Sequence, residues 1–175
     1  MEEKRLVEKV KRGDRKAMDA LVKLHYRTIF AYFYRNTGDY HRSCDLTQEV
    51  FIKAVSAIPA YKNNGKLKAW LFSIASNSLR NDWRYRKNHP QEELAEDLLK
   101  DSAAPDAAQK AELKEAMGRL PPEQREAVVL KYYHGLKIAE IAKATGAKDA
   151  TVKSRLKYGL EKLRKLLGDE NHEGE

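Results

Sequence analysis

Apolar residues recur along this chain at intervals of three and four, and no convincing stretch alternates every second residue, so the pattern predicts helices throughout and no sheet. A short first helix is marked by Leu6, Val7 and Val10 and closes near Gly13. A second opens at Asp14, whose carboxylate suits a helix cap, and carries Met18, Leu21, Val22, His25, Ile29 and Phe33 as far as Gly38. A third is expected after Arg42 and Ser43, with Leu46, Val50, Ala54 and Ile58, and Pro59 marks its end. Asn63, Asn64 and Gly65 make the next stretch a loop. Beyond it Leu67, Trp70, Leu71, Ile74 and Ala75 fall at i, i+3, i+4, i+7 and i+8, the spacing of a helix with one buried face, and that gives Trp70 a core role.

The patterning then lapses. From Gln91 to Met117 eight acids stand against three lysines, with Pro105 and several alanines, which leaves too little apolar surface to offset the entropy of ordering. The stretch is predicted to be a linker, with a helical turn or two at most from Leu94 to Leu99. The chain therefore divides into residues 1–88, a flexible acidic linker over 89–112, and a second domain over 113–170. Leu120-Pro121-Pro122-Glu123 starts a helix, since proline is tolerated where an N–H is not needed, and that helix ends near Gly135. Two helical patterns follow only a few residues apart. Ile138, Ile141 and Ala142 belong to the first, and Val152, Leu156, Leu160, Leu163 and Leu167 to the second. A small residue where helices cross and Gly146 at the turn complete helix-turn-helix spacing. The fold class expected is all-α, two small helical domains: an N-terminal helical bundle and a C-terminal helix-turn-helix.

Charge changes this picture from fold to partner. The chain holds 34 Lys+Arg against 26 Asp+Glu, a formal +8, and such an excess favours a polyanion. The excess is concentrated: Lys131 to Leu167 contains ten basic residues and three acids. The outer face of the last helix carries Thr151, Ser154, Arg155 and Tyr158, flanked by Lys148, Lys153, Lys157 and Lys162. Arginine is the commonest reader of guanine in the major groove, while lysines neutralise phosphates. Asp149 suits a cap or the first turn of that helix.

Two further stripes lie in the N-terminal half. Asp45, Gln48, Glu49 and Ile52 fall at i, i+3, i+4 and i+7, away from the apolar face of the third helix; the stripe is either solvated surface or a docking face. Asn77, Arg80, Asn81 and Arg84 repeat the spacing at the end of the fourth helix, with Phe72, Trp83 and Tyr85 nearby. Interleaved cations, amides and aromatics suit single-stranded DNA, because cations follow phosphates and ring faces stack on unpaired bases; a solvated basic helix end is the other reading.

Several classes are excluded. No run reaches the roughly 18 to 20 apolar residues of a membrane span, and the first residues lack a signal peptide's apolar core, so a cytoplasmic protein is expected. Cys44 has no second thiol for a disulfide or a zinc motif. His25, His41, His89, His134 and His172 are scattered without partnered spacing, so no catalytic site, no metal and no cofactor is expected.

With these residues assembled, the chain resembles the extracytoplasmic-function sigma factors of bacterial RNA polymerase from about Leu6 to Leu167. Asp45-Leu46-Thr47-Gln48-Glu49-Val50-Phe51 is similar to the family's docking signature for core polymerase. The resemblance implies that Asp45, Gln48, Glu49 and Ile52 bind core polymerase. Leu67 to Asp82 resembles the segment that reads the −10 element, and Tyr61 to Lys66 the loop that accepts a flipped base. The implied −10 contacts are Tyr61, Asn63, Asn64, Lys66, Asn77, Arg80, Asn81 and Arg84. Thr151-Val152-Lys153-Ser154-Arg155-Leu156 resembles the start of the −35 recognition helix, whose implied contacts are Lys148, Thr151, Lys153, Ser154, Arg155, Lys157 and Tyr158. The family further implies promoter DNA as duplex and single strand, a linker threading toward the active-site cleft, an anti-sigma partner and no enzymatic activity. His41-Arg42-Ser43-Cys44 stands where relatives are often acidic, Leu67 where an aromatic is common, and Lys148-Asp149-Ala150 where a small or proline-containing turn is usual. The alternative is a stand-alone helix-turn-helix regulator.

Overall fold

A computed structural model describes residues 2–90 and 107–169, and every regular element among them is helical. Helices α1 (Glu2–Lys11), α2 (Arg15–Thr37), α3 (Tyr40–Ala57) and α4 (Leu67–Asn88) precede α5 (Ala107–Gly118), α6 (Pro122–Val128), α7 (Ile138–Thr145) and α8 (Asp149–Asp169). A 3₁₀ turn at Ile58–Ala60 follows α3, and a π turn at Val129–Tyr133 continues α6. The chain forms two compact units, the first drawing on residues up to Phe33 and from His41 through α4, the second on Tyr34–Tyr40 and α5 to α8.

In the first unit the apolar stripes meet as the periodicity predicts. Val7 and Val10 of α1, Leu21, Ile29 and Phe33 of α2, Leu46 and Val50 of α3, and Leu67, Leu71, Ala75 and Leu79 of α4 are all buried. Asp14 caps α2, its Oδ1 accepting from the Ala17 N–H at 3.1 Å. Helix α3 starts earlier than expected, at Tyr40 rather than after Ser43. Within this part of the helix the Ser43 carbonyl accepts from the Thr47 hydroxyl at 2.6 Å, and Arg42 forms an ion pair with Asp82 of α4. Asp82 also lies 3.7 Å from Arg86. Arg42 thus pins the first turn of α3 to α4. Phe72, grouped in the sequence with aromatics for stacking on DNA, is fully buried and packs edge-on against Tyr32 at 5.4 Å; it belongs to the core.

Helix α5 occupies 107–112, which the sequence assigns to the linker. Alanine has the highest helix propensity, and the later Glu115–Arg119 pair at 2.7 Å has the favourable i, i+4 order. The acidic balance masked a helix that buries only Ala116 and Met117. Residues 91–106, with Leu94 to Leu99 and Pro105, lie outside the described residues.

In the second unit α8 packs against α5, α6 and α7. Gly146 ends α7 at φ +68°, and both its own N–H and that of Ala147 (3.0 Å) reach the Ala142 carbonyl, which satisfies the frayed end in a tight left-handed turn. Val152, Leu156 and Leu163 fix the inner face of α8. At Gly159 the helices come close: a Cβ there would sit 3.2 Å from Val128 Cγ2 and 3.5 Å from Gln124 Cβ.

Candidate nucleic-acid interface

The geometry of α8 follows from burying one stripe of a 21-residue helix. With Val152 and Leu156 held inward, Lys148, Thr151, Lys153, Ser154, Lys157 and Tyr158 are exposed and Arg155 is half-buried. All seven of these predicted residues lie at or in the N-terminal half of the helix, which is the end a recognition helix presents to base edges. Asp149 stands in the first turn, where a carboxylate suits the helix dipole. Lys157 Nζ lies 5.9 Å from the Tyr158 ring centre, so a cation and an exposed aromatic form one edge of the face.

On α3, Asp45 and Gln48 are exposed, Glu49 is half-buried and Ile52 is 68% exposed. Ile52 stands singly among polar neighbours on this face, as apolar side chains commonly do on protein surfaces. Glu49 is not loose. Its Oε1 accepts from Lys53 Nζ at 2.5 Å, and Lys53 Nζ also reaches the Oγ of buried Ser78 on α4 at 3.2 Å. Half-exposed ion pairs are worth at most about 1 kcal/mol, so the link orients Glu49 more than it stabilises the fold. Neither Lys53 nor Ser78 carries a local signal in the sequence, because α4 meets α3 only through tertiary packing.

On α4, Asn77, Asn81 and Arg84 are exposed and Arg80 is half-buried, its Nη1 donating to Ser76 Oγ at 2.8 Å. Trp83 is half-buried, and Tyr85 is exposed and stacked on His89 at 4.2 Å. The stripe therefore faces away from the core of the first unit.

The loop between the 3₁₀ turn and α4 is more constrained than its composition suggests. Tyr61 is buried with its ring 4.7 Å from that of Trp70, so it serves as a wall of the loop, and its ring is not an exposed contact. Burial pushes the Tyr61 hydroxyl above its ordinary pKa; the Lys66 backbone hydrogen bond opposes this and the charge of Glu3 adds to it. Asn64 Oδ1 accepts from the Tyr61 hydroxyl at 3.3 Å and from the Lys66 N–H at 3.1 Å. Asn63 donates to α1, through Lys4 O at 3.0 Å and Glu8 Oε1 at 2.9 Å, and Lys11 Nζ donates to the Tyr61 carbonyl. Glu3 meets His25 of α2 at 2.8 Å. Helix α1 is thus built against the loop, a role that its short apolar pattern did not reveal.

Buried Glu126 of α6 also went unmarked in the sequence. Among the described residues no cluster of His, Cys, Asp and Glu could hold a metal ion, and no helix is long and apolar enough to cross a membrane.

Two family descriptions match, Sigma-70 region 2 over residues 21–89 and Sigma-70 region 4 over residues 110–163. The ECF RNA polymerase sigma factor SigW of Bacillus subtilis is 31% identical over 183 residues, covering 95% of this chain and 97% of that protein. ECF RNA polymerase sigma factor SigE of Mycolicibacterium smegmatis is 35% identical over 172 residues, with 92% of this chain and 66% of that protein covered. Among solved structures, the sigma factor RpoE of Bartonella quintana, in complex with the anti-sigma factor NepR, superposes with a TM-score of 0.76 at 25% identity, covering 87% of this chain and 98% of that one. CnrH in complex with the cytosolic domain of CnrY gives 0.70 at 25% identity, over 95% of this chain and 97% of that one.

Proposed function

The chain belongs to the ECF sigma factors of bacterial RNA polymerase, and on that ground we propose how its two units share promoter recognition. As a sigma factor it directs core polymerase to promoters and assists their opening. In the proposed division Asp45, Gln48, Glu49 and Ile52 bind core polymerase. Asn63, Asn64 and Lys66 of the loop and Asn77, Arg80, Asn81 and Arg84 of α4 take opened −10 DNA, with Tyr61 shaping the loop from beneath. Lys148, Thr151, Lys153, Ser154, Arg155, Lys157 and Tyr158 meet duplex −35 DNA. The protein contributes binding energy rather than chemistry, and it works in the cytoplasm where polymerase is. An anti-sigma factor is its expected regulator, in keeping with the anti-sigma factor NepR seen on RpoE.

The observation that carries this reading is the solvent-facing Asp45, Gln48, Glu49 and Ile52 stripe of α3 joined, in one chain, to a helix-turn-helix with a basic outer face. A stand-alone helix-turn-helix regulator has no use for the first and does not account for the Sigma-70 region 2 match over residues 21–89. The deciding experiment is capture of core polymerase by the purified chain, followed by transcription from a promoter library. Association with core and initiation at a defined subset of promoters is the expected result. Tight, specific binding to duplex promoter DNA by the chain alone, with no association with core, would overturn it.

Within α8 the division of labour is measurable. Arg155→Ala is expected to change base preference at the −35 element, worth about 1–3 kcal/mol at one position. Lys157→Ala should instead weaken binding to all sequences nearly alike and lower the salt dependence by about one phosphate's share. Equal, sequence-independent losses for both variants, measured by binding at several salt concentrations, contradict the assignment.

A further inference from the structure

We propose that α1 is a specificity element for the 61–66 loop: it locks the Asn63 amide so that only the side-chain oxygen is offered to an incoming base, favouring bases that carry an exocyclic amine over thymine. The inference rests on the reading of this loop as a −10 contact.

A side-chain amide has two N–H donors on nitrogen and an acceptor oxygen. Asn63 Nδ2 donates to Lys4 O at 3.0 Å and to Glu8 Oε1 at 2.9 Å. Both partners are acceptors only. Turning the amide over would set oxygen against a carbonyl and a carboxylate, so the network itself assigns the orientation. Both protons are then committed to α1, and Oδ1 is what a half-buried Asn63 has left to offer.

The clamp that imposes this is rigidly held. Val7 and Val10 bury the inner face of α1, Glu3 meets His25 of α2 at 2.8 Å, and Lys11 Nζ holds the Tyr61 carbonyl. Gly65 has φ +80°, a left-handed conformation that favours glycine at this turn of the loop.

A base taken out of the stack is read by hydrogen bonds to its Watson–Crick edge. Adenine, cytosine and guanine each present an exocyclic amine that can donate to Oδ1. Thymine has no amine; its single ring N–H lies between two carbonyl oxygens, which repel an acceptor that cannot turn round. A freely rotating asparagine would present its N–H₂ to thymine instead, so the discrimination depends on Glu8 and the Lys4 carbonyl and not on Asn63 alone.

The test uses holoenzyme made from core polymerase and the full chain, on promoters randomised across the −10 non-template positions, with transcripts sequenced. Glu8 is exposed, so Glu8→Ala is expected to fold, and it should relax the bias against thymine at one position by roughly five- to tenfold, the share of a single lost hydrogen bond. Glu8→Gln keeps an acceptor and should restore most of the bias. Asn63→Ala should lose preference at the same position. If Asn63→Ala loses that preference while Glu8→Ala keeps it, the loop reading stands and the role of α1 falls. A uniform drop across all promoters for Glu8→Ala, with base preference intact, also overturns the role of α1. If Asn63→Ala leaves every position unchanged, the loop reading itself fails and takes this inference with it.

Discussion

Replacing Phe72 by alanine is expected to cost the first unit about 3–5 kcal/mol, the range for emptying a packed phenylalanine site. The side chain is fully buried, and its ring meets Tyr32 at 5.4 Å in an edge-on geometry that adds to the area it removes from water. Small domains have only about 5–15 kcal/mol in total, so this one cavity removes much of the margin. Phe72 lies on α4 next to Leu71 in the core that α4 shares with α2 and α3, and the stripes proposed to meet core polymerase and opened −10 DNA are carried on α3 and α4. Capture of core polymerase should therefore fall together with the urea midpoint, although no residue of either stripe has been touched. A midpoint change worth less than about 1 kcal/mol would show that the site collapses without cost and that Phe72 is not central.

Val152→Asp is expected to abolish −35 binding while leaving capture by core polymerase in place. Val152 has no exposed surface and is the first inward residue of α8 after the turn at Gly146. An unpaired carboxylate there loses its hydration with no cation among the buried Val, Ile and Leu side chains of that core, a penalty of several kcal/mol that is met by protonation or by local unfolding. Either outcome frees the N-terminal half of α8 and scatters Thr151, Ser154 and Arg155 from the positions they share on its outer face. Binding of the variant to duplex −35 DNA, beside core capture, is the measurement. Retention of sequence-specific duplex binding would mean that α8 does not need this anchor.

Most of the helices and the two-domain plan were legible because they bury a stripe that repeats at 3.6 residues; on α4 Leu67, Leu71 and Ala75 are buried as their spacing predicts, whereas Trp70 and Ile74, assigned to the same face, are half-buried because they lie at its edge. The outer face of α8 was legible for the complementary reason, since once Val152 and Leu156 point inward the rest must point out. Helix α5 was missed because its alanines give it propensity without a strong apolar stripe, and charge was weighed above propensity. Phe72 was misjudged because an aromatic beside a basic stripe has the same composition whether it faces DNA or the core. The clamp on the loop was beyond any local pattern: Glu8 and Asn63 are 55 residues apart, and nothing around either marks the other. Arg42 is similar, its placement explained only by Asp82 forty residues later on a different helix.

Both tryptophans of the chain, Trp70 and Trp83, stand on α4. One is seated against Tyr61 beneath the loop and the other is half-buried near the end of the stripe. The protein thus carries a built-in optical label on one half only. Light absorbed by indole alone follows the region proposed to meet the opened strand and is blind to the helix-turn-helix. Unpaired bases arriving at the loop would quench an emission that duplex binding by α8 leaves untouched, and the order of the two events could be timed without attaching a dye.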